Sequence, residues 1–343
     1  MTIKMSSEAR FGKFAIFLGR ATAFAILIAA AVLSGRFTNF MDTYGLAFVL
    51  LGGAALALMS FDVHEIVAAL KDTGGTHQNA VEIHKSIIFW ESASRNYWMV
   101  GTLATLIAFV VAMTTSEGGI QGITARMATS LIPIVYGAIL GVACLVPALK
   151  LSNRLPLHPR DETAEEDEET TSPASLANGV GYVVFTAMII GTLVRADIHA
   201  TEPIFTAWGW VMNWPSLLVV LGGTIAIATF VGTAAGGRTF TLGFAATGFI
   251  GSLMGCIQVL LGFSARSIEE IATAMTFVLS SCFFALLGMM LVGAPLEDRT
   301  LKSSTGARHS TMSRVAWHVF PLVTLILIVV TFVLVITPMT VQK

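Results

Sequence analysis

The chain has 343 residues, of which 55% are hydrophobic and only 12% charged, with a mean hydropathy of +0.78 and a formal net charge of −1. A soluble domain carries roughly twice that share of charge, so a soluble globular class is excluded, and the near-neutral balance leaves no basic footprint for nucleic acid. Apolar runs of about 17–25 residues, each able to cross a hydrocarbon core roughly 30 Å thick, recur along the whole length. The short alternating segments of a membrane β-barrel do not. The composition therefore predicts an all-α polytopic membrane protein in contact with the lipid bilayer.

In chain order the predicted spans are 14–35, 44–60, 98–114, 127–148, 179–195, 214–232, 241–262, 271–293 and 316–337. The first lacks a small-residue cleavage site and is read as a retained helix, with Arg20 close enough to its start to snorkel to the interface. With the N-terminus inside, Lys and Arg from Lys4 to Arg314 gather on the inner face, against Arg36, Arg126, Arg195, Arg266 and Lys343 outside. This positive-inside bias places the N-terminus in the cytoplasm and, after nine crossings, the C-terminus on the far side. Between the second and third spans, residues 61–97 carry a helix signal. Asp62 and Glu65 form a capping-box pair, Val63, Ile66, Val67 and Leu70 follow on one face, and Lys71, Gly74 and Gly75 stop the run. A second face at Ile83, Ile87 and Trp90 continues into the third span. Residues 161–170, DETAEEDEET, break the apolar pattern as a solvated acidic linker. In the segment 197–214, Trp208, Trp210 and Trp214 read as an interfacial belt.

The chain repeats itself across that linker. Leu51-Gly52-Gly53 matches Leu221-Gly222-Gly223, Val100-Gly101-Thr102-Leu103 matches Ile250-Gly251-Ser252-Leu253, and Ala128-Thr129 matches Ala272-Thr273. Each fourth helix is read as ending in a proline, Pro147 or Pro295. The expected domains are therefore a first four-helix repeat (1–150), the linker (151–178), a second repeat (179–298), and a tail with one extra helix (299–343). Half two replaces the segment 61–97 with a short turn, Thr233–Thr241. Both halves run in the same direction, as parallel rather than inverted repeats, which disfavours a small-solute transporter.

The order of these features resembles the MotA/TolQ/ExbB family of membrane motor subunits, in its four-helix MotA branch. The second helix there reads Pro-Ser-Leu-Leu-Ile-Val-Leu-Gly-Gly-Thr, close to PSLLVVLGGT at 215–224. Ser60-Phe61-Asp62 is similar to the family's exit from that helix, Gly101-Thr102-Leu103-Ala104 and Gly251-Ser252-Leu253-Met254-Gly255 resemble its third helix, and MATSLIPIVYG at 127–137 resembles its fourth. The resemblance covers roughly 14–150 and 179–298. It implies a subunit of an ion-motive-force-driven motor or force-transducing complex in the bacterial inner membrane. Such a subunit assembles as a homo- or hetero-oligomer with MotA-like chains around a single-helix partner of the MotB/TolR/ExbD type. Ions, H+ or Na+, would cross between the third and fourth helices and the partner helix, which bears a transmembrane Asp.

No Asp or Glu falls within the nine predicted spans, so a proton-carrying carboxylate is expected from another chain. Ion-path candidates are the small hydroxyls Thr102, Thr105, Thr129 and Ser130 in half one, and Ser252, Thr273, Thr276, Ser280 and Ser281 in half two. Helix packing is assigned to Gly52, Gly53, Gly101, Gly222, Gly223, Gly251 and Gly255, because small residues let helix backbones approach in lipid. The chain departs from the family in three ways, one being that the branch's third-helix proline falls near Trp98 and is absent. The fourth-helix threonine falls on Ile134 in half one, and in half two on Val278 or Cys282, depending on whether Ala272-Thr273 or Pro295 anchors the alignment. The large cytoplasmic domain of a flagellar stator is reduced to residues 61–97. A scaffold that kept the fold without conduction is the alternative these departures favour. Cys144, Cys256 and Cys282 read as small packing residues, and the histidines show no metal-ligand spacing. No nucleophile, phosphate loop or cofactor motif is present, so no enzyme activity, cofactor or metal is expected.

Overall fold

A computed structural model describes residues 42–74, 80–114, 129–152, 176–198, 213–231, 237–265 and 268–303, together with Trp317, residues 319–324, Ile326 and Val330. The chain divides into Met1–Thr43 and Tyr44–Lys343, and the architecture below is that of the second unit. The predicted first span, the acidic linker, the tryptophan-rich segment before Asn213 and most of the last span lie outside the described residues.

The described residues are helical throughout: α1 Thr43–Ser60, α2 Val63–Gly74, α3 Ala80–Thr114, α4 Ile132–Ser152, α5 Leu176–Ile198, α6 Trp214–Val231, α7 Gly237–Ala265 and α8 Ile268–Gly288. A π-helical turn, Met289–Gly293, then leads directly into α9, Ala294–Ser303. Among the described residues, four stretches are long and apolar enough to cross a membrane: Thr43–Ser60, Ile132–Ser152, Gly237–Val259 and Ala274–Leu301. Gly179–Val194 and Trp214–Thr229 are shorter apolar helices. Large apolar side chains such as Leu51, Val142, Val183, Leu218 and Ile225 lie exposed on these helices, as lipid-facing residues do in a helical membrane protein.

Several helix boundaries differ from the sequence reading. Pro147 lies inside α4, which continues to Ser152. Pro295 does not end its helix either. A helical N–H at position 295 would bond to the carbonyl four residues back, and proline has none; the Tyr182 hydroxyl of α5 donates to that carbonyl, Leu291 O, at 3.1 Å. The π turn just before it, closed by the Ala294 N–H on Met289 O, carries the chain into α9. The expected turn at Thr233–Thr241 is helical from Gly237. By contrast, α3 is one helix of 35 residues, as its second apolar face predicted. The capping box at α2 is half formed, with the Asp62 N–H donating to Glu65 Oε2 at 2.9 Å.

Two sets of helix crossings organise the bundle. In half one, Gly53 packs under the Tyr97 ring and Gly52 against Val100 and Met188. Gly101 and Gly137 bring the backbones of α3 and α4 together, and Gly141 lies against Ser94 O. In half two, Gly223 packs on Thr247, Gly251 on Ser281, and Gly255 on Val278 and Ala274 O. One apolar core, containing Phe48, Leu103, Phe185, Phe283, Leu286 and Trp317, joins residues from both sets.

Candidate functional site

The small hydroxyls are mostly satisfied by backbone. Thr102 Oγ1 donates to Trp98 O at 3.0 Å, and Ser252 Oγ to Gly248 O at 2.7 Å, each one turn back along its own helix. Ser280 Oγ donates to Thr276 O at 2.7 Å. Such back-bonding leaves the oxygen's lone pairs available, so the hydroxyl can still accept a hydrogen bond or ligate a cation. Thr105 is used differently. α4 starts at Ile132, so the Ile134 N–H is among the donors without an intrahelical partner, and Thr105 Oγ1 accepts it at 3.0 Å. In half two the corresponding crossing has Gly255 against Val278 N. There α8 is continuous through Val278, its N–H is bonded within the helix, and no hydroxyl is needed.

The remaining candidates are spread around these crossings. Thr129 is exposed and Ser130 buried on helical backbone just before α4, and Thr276 is half-buried on α8. Thr273 lies on α8, with its side chain outside the described residues. Ser281 is buried against Gly251 and its Oγ has no partner among the described residues. Ser252 Oγ also lies 3.0 Å from Cys282 Sγ, which is hydrogen-bonded to Thr324 as well. The structure thus brings Ser252, Ser281 and Cys282 to one α7–α8 seam, and Thr102 and Thr105 to the α3–α4 seam. Of the seven glycines, Gly52, Gly53, Gly101, Gly223, Gly251 and Gly255 sit at close contacts, whereas a Cβ at Gly222 would meet nothing within 4 Å beyond its own helix among the described residues.

The sequence reading missed a buried charge cluster at one end of the bundle. Because the helix runs on past Pro295, Glu297 and Asp298 sit in the last turns of the stretch Ala274–Leu301, beyond the predicted span 271–293. Arg95 Nη2 lies 2.7 Å from Asp298 Oδ2, with the two side chains 4% and 0% exposed. Ser92 Oγ donates to Asp298 Oδ1 at 2.7 Å. The Arg95 guanidinium stacks 4.4 Å from the centre of the Trp317 ring. Trp317 Nε1 in turn donates to Glu297 Oε2 at 2.9 Å, and Thr241 Oγ1 reaches the same oxygen at 3.3 Å. Gly237, at the start of α7, sits so close to the Leu296–Glu297 backbone that a Cβ there would clash. Residues from α3, α7, α9 and the last span therefore close on one another around the Arg95–Asp298 ion pair. The signal available in the sequence was the run Pro295-Leu296-Glu297-Asp298 immediately beyond an apolar span, which a helix ending at the proline would have left in solvent.

Charged side chains this deep are costly unless paired and hydrogen-bonded, and Asp298 accepts from both Arg95 and Ser92. The cluster can hold two helical sets in fixed register; the hydroxyl seams can offer oxygen ligands to a passing cation. Compared with protein-family models, curated proteins and solved structures, the chain matches none.

Proposed function

We propose that the chain is a multi-pass inner-membrane subunit of an ion-motive-force-driven motor or force-transducing complex, built from two MotA-like four-helix units in tandem with one added helix. The reading is supported chiefly by a set of crossings that recurs in both halves at sequence-equivalent positions. Gly53 on Tyr97 has its counterpart in Gly223 on Thr247, Gly101 on Gly137 in Gly251 on Ser281, and Thr105 at Ile134 N in Gly255 at Val278 N. These pairs correspond when Ala128-Thr129 is aligned with Ala272-Thr273, and not when Pro147 is aligned with Pro295. In that register Pro147 falls on Leu291, so both fourth helices are irregular at the same level.

On this reading the α3–α4 and α7–α8 seams, with Thr102 and Ser252 at equivalent depths, face a partner's single helix bearing a transmembrane Asp. H+ or Na+ passes between them. The same register puts Ile134 and Val278 where the family has its fourth-helix threonine. That observation favours a second reading, a scaffold of the same fold that does not conduct.

Flux measurements separate the two. The complex isolated from native membranes and reconstituted into vesicles is expected to carry H+ or Na+ under an imposed potential. Thr102→Val with Ser252→Ala should lower that flux at least several-fold while leaving assembly intact. Flux unchanged by the double substitution removes the hydroxyls from the path, and no flux from the wild-type complex establishes the scaffold.

A further inference from the structure

We propose that α2 lies flat in the headgroup region of the bilayer, with Val63, Val67 and Leu70 turned into the acyl boundary and His64 and Lys71 beside anionic headgroups. The placement follows first from where its two ends are held. α1 has 18 residues and is ~27 Å long, so it barely spans a core of roughly 30 Å and Ser60 comes out at its edge. Only Phe61 and Asp62 separate it from α2. At the other end, Thr73 O accepts from Lys150 Nζ at 2.6 Å, near the end of the membrane-length helix α4. α1 and α4 each pair antiparallel with α3: Gly53 meets Tyr97, Gly101 meets Gly137 and Gly141 meets Ser94. Both therefore end on the same membrane face, and α2 bridges their ends.

Its crossing with α3 agrees. Phe61 stacks edge-on against Phe89 with ring centres 5.2 Å apart. The Ala69 carbonyl accepts from Trp90 Nε1 at 3.4 Å, and Asp72 accepts from Ser86 Oγ at 2.5 Å. Contacts from both ends of the segment 61–72 thus fall on residues 86–90 of α3, a rise of ~6 Å, so α2 crosses α3 rather than running along it.

The two faces of α2 are sorted accordingly. Ala69 and Asp72 are buried against α3, while Val63, Val67 and Leu70 are 54%, 41% and 54% exposed at i, i+4 and i+7. His64 and Lys71 are exposed along the edge of that stripe, and the acidic Asp72 points inward. An apolar stripe flanked by basic residues suits a helix in the interface plane, and basic residues there favour anionic lipid.

The inference stands independently of the motor reading. It is tested on the full chain in bilayers, with and without phosphatidylglycerol, by a nitroxide at Val63→Cys, Val67→Cys, Leu70→Cys or His64→Cys and with Cys144, Cys256 and Cys282 replaced by Ala. The expected result is a ratio of oxygen to nickel-chelate accessibility several-fold higher at the three stripe positions than at His64→Cys. High nickel accessibility at the stripe would place it in water, and low accessibility to both reagents would place it under protein, from a second copy or another segment; either overturns the proposal. In the chain with its native cysteines, a benzophenone side chain at Val67 should give lipid adducts, and protein adducts in their place overturn it as well.

Discussion

Replacing Asp298 with alanine is expected to cost about 3–5 kcal/mol of unfolding free energy in detergent, because it leaves the Arg95 guanidinium buried without its counter-charge. Arg95 is only 4% exposed, and its Nε and Nη1 lack partners among the described residues, so little else described there can take up the charge. Arg95→Ala should cost a similar amount by stranding Asp298, with Ser92 as its one remaining donor from α3. The double variant should lose well under the sum of the two, because removing both charges also removes the desolvation penalty. Arg95→Met with Asp298→Leu should recover most of the stability on the same principle. Thermal unfolding of the four variants beside the wild type measures this cycle. Single losses below about 1 kcal/mol, the range of an exposed pair, would mean that the cluster is open to water.

Gly101→Ala should destabilise by about 1–3 kcal/mol, the range for overpacking a filled interior, whereas Gly222→Ala should cost nothing measurable. A Cβ at Gly101 would meet Gly137 Cα and Pro133 O, both at 2.9 Å. Those are backbone atoms, and they move only if α3 and α4 move apart. A Cβ at Gly222 meets nothing within 4 Å among the described residues, and alanine is the better helix former. Equal losses at the two sites would contradict the assignment of close packing to Gly101 and of an open face to Gly222.

These two sites also mark what could be read from the chain alone. Helix class, four of the nine predicted membrane-length runs, the helix of residues 63–74 and the continuity of 80–114 follow from periodicity and composition, which act locally. Gly101 at the α3–α4 crossing was legible because a small residue on an otherwise bulky face has few other uses in lipid, whereas Gly137 and Gly141 were not assigned. Gly222, which faces open space among the described residues, looks the same in sequence as a packed glycine. The charge cluster was illegible for a different reason. Pro295 is a helix terminator by its own chemistry, and the π turn before it, with the Tyr182 hydroxyl, 109 positions away in sequence, donating to Leu291 O, accommodates it within a continuing helix. Once it continues, Glu297 and Asp298 belong to a buried helix rather than a loop. Thr105 shows the same limit on a smaller scale. Its hydroxyl was a candidate for an ion path, yet the broken start of α4 gives it the Ile134 N–H to cap.

In the proposed motor a partner supplies the carboxylate, since none lies beside Thr102 or Ser252 among the described contacts. Glu297 and Asp298 are held in the charge cluster with Arg95, Trp317 and Thr241. The proposed conducting complex therefore includes a second kind of chain. The subunit composition of the complex extracted from its native membrane into nanodiscs, read by native mass spectrometry, tests this most directly. The account predicts several MotA-like units, in this chain alone or with single-repeat relatives, around a single-span protein that carries an Asp within its span. An isolated monomer, or an assembly with no single-span chain, would contradict it.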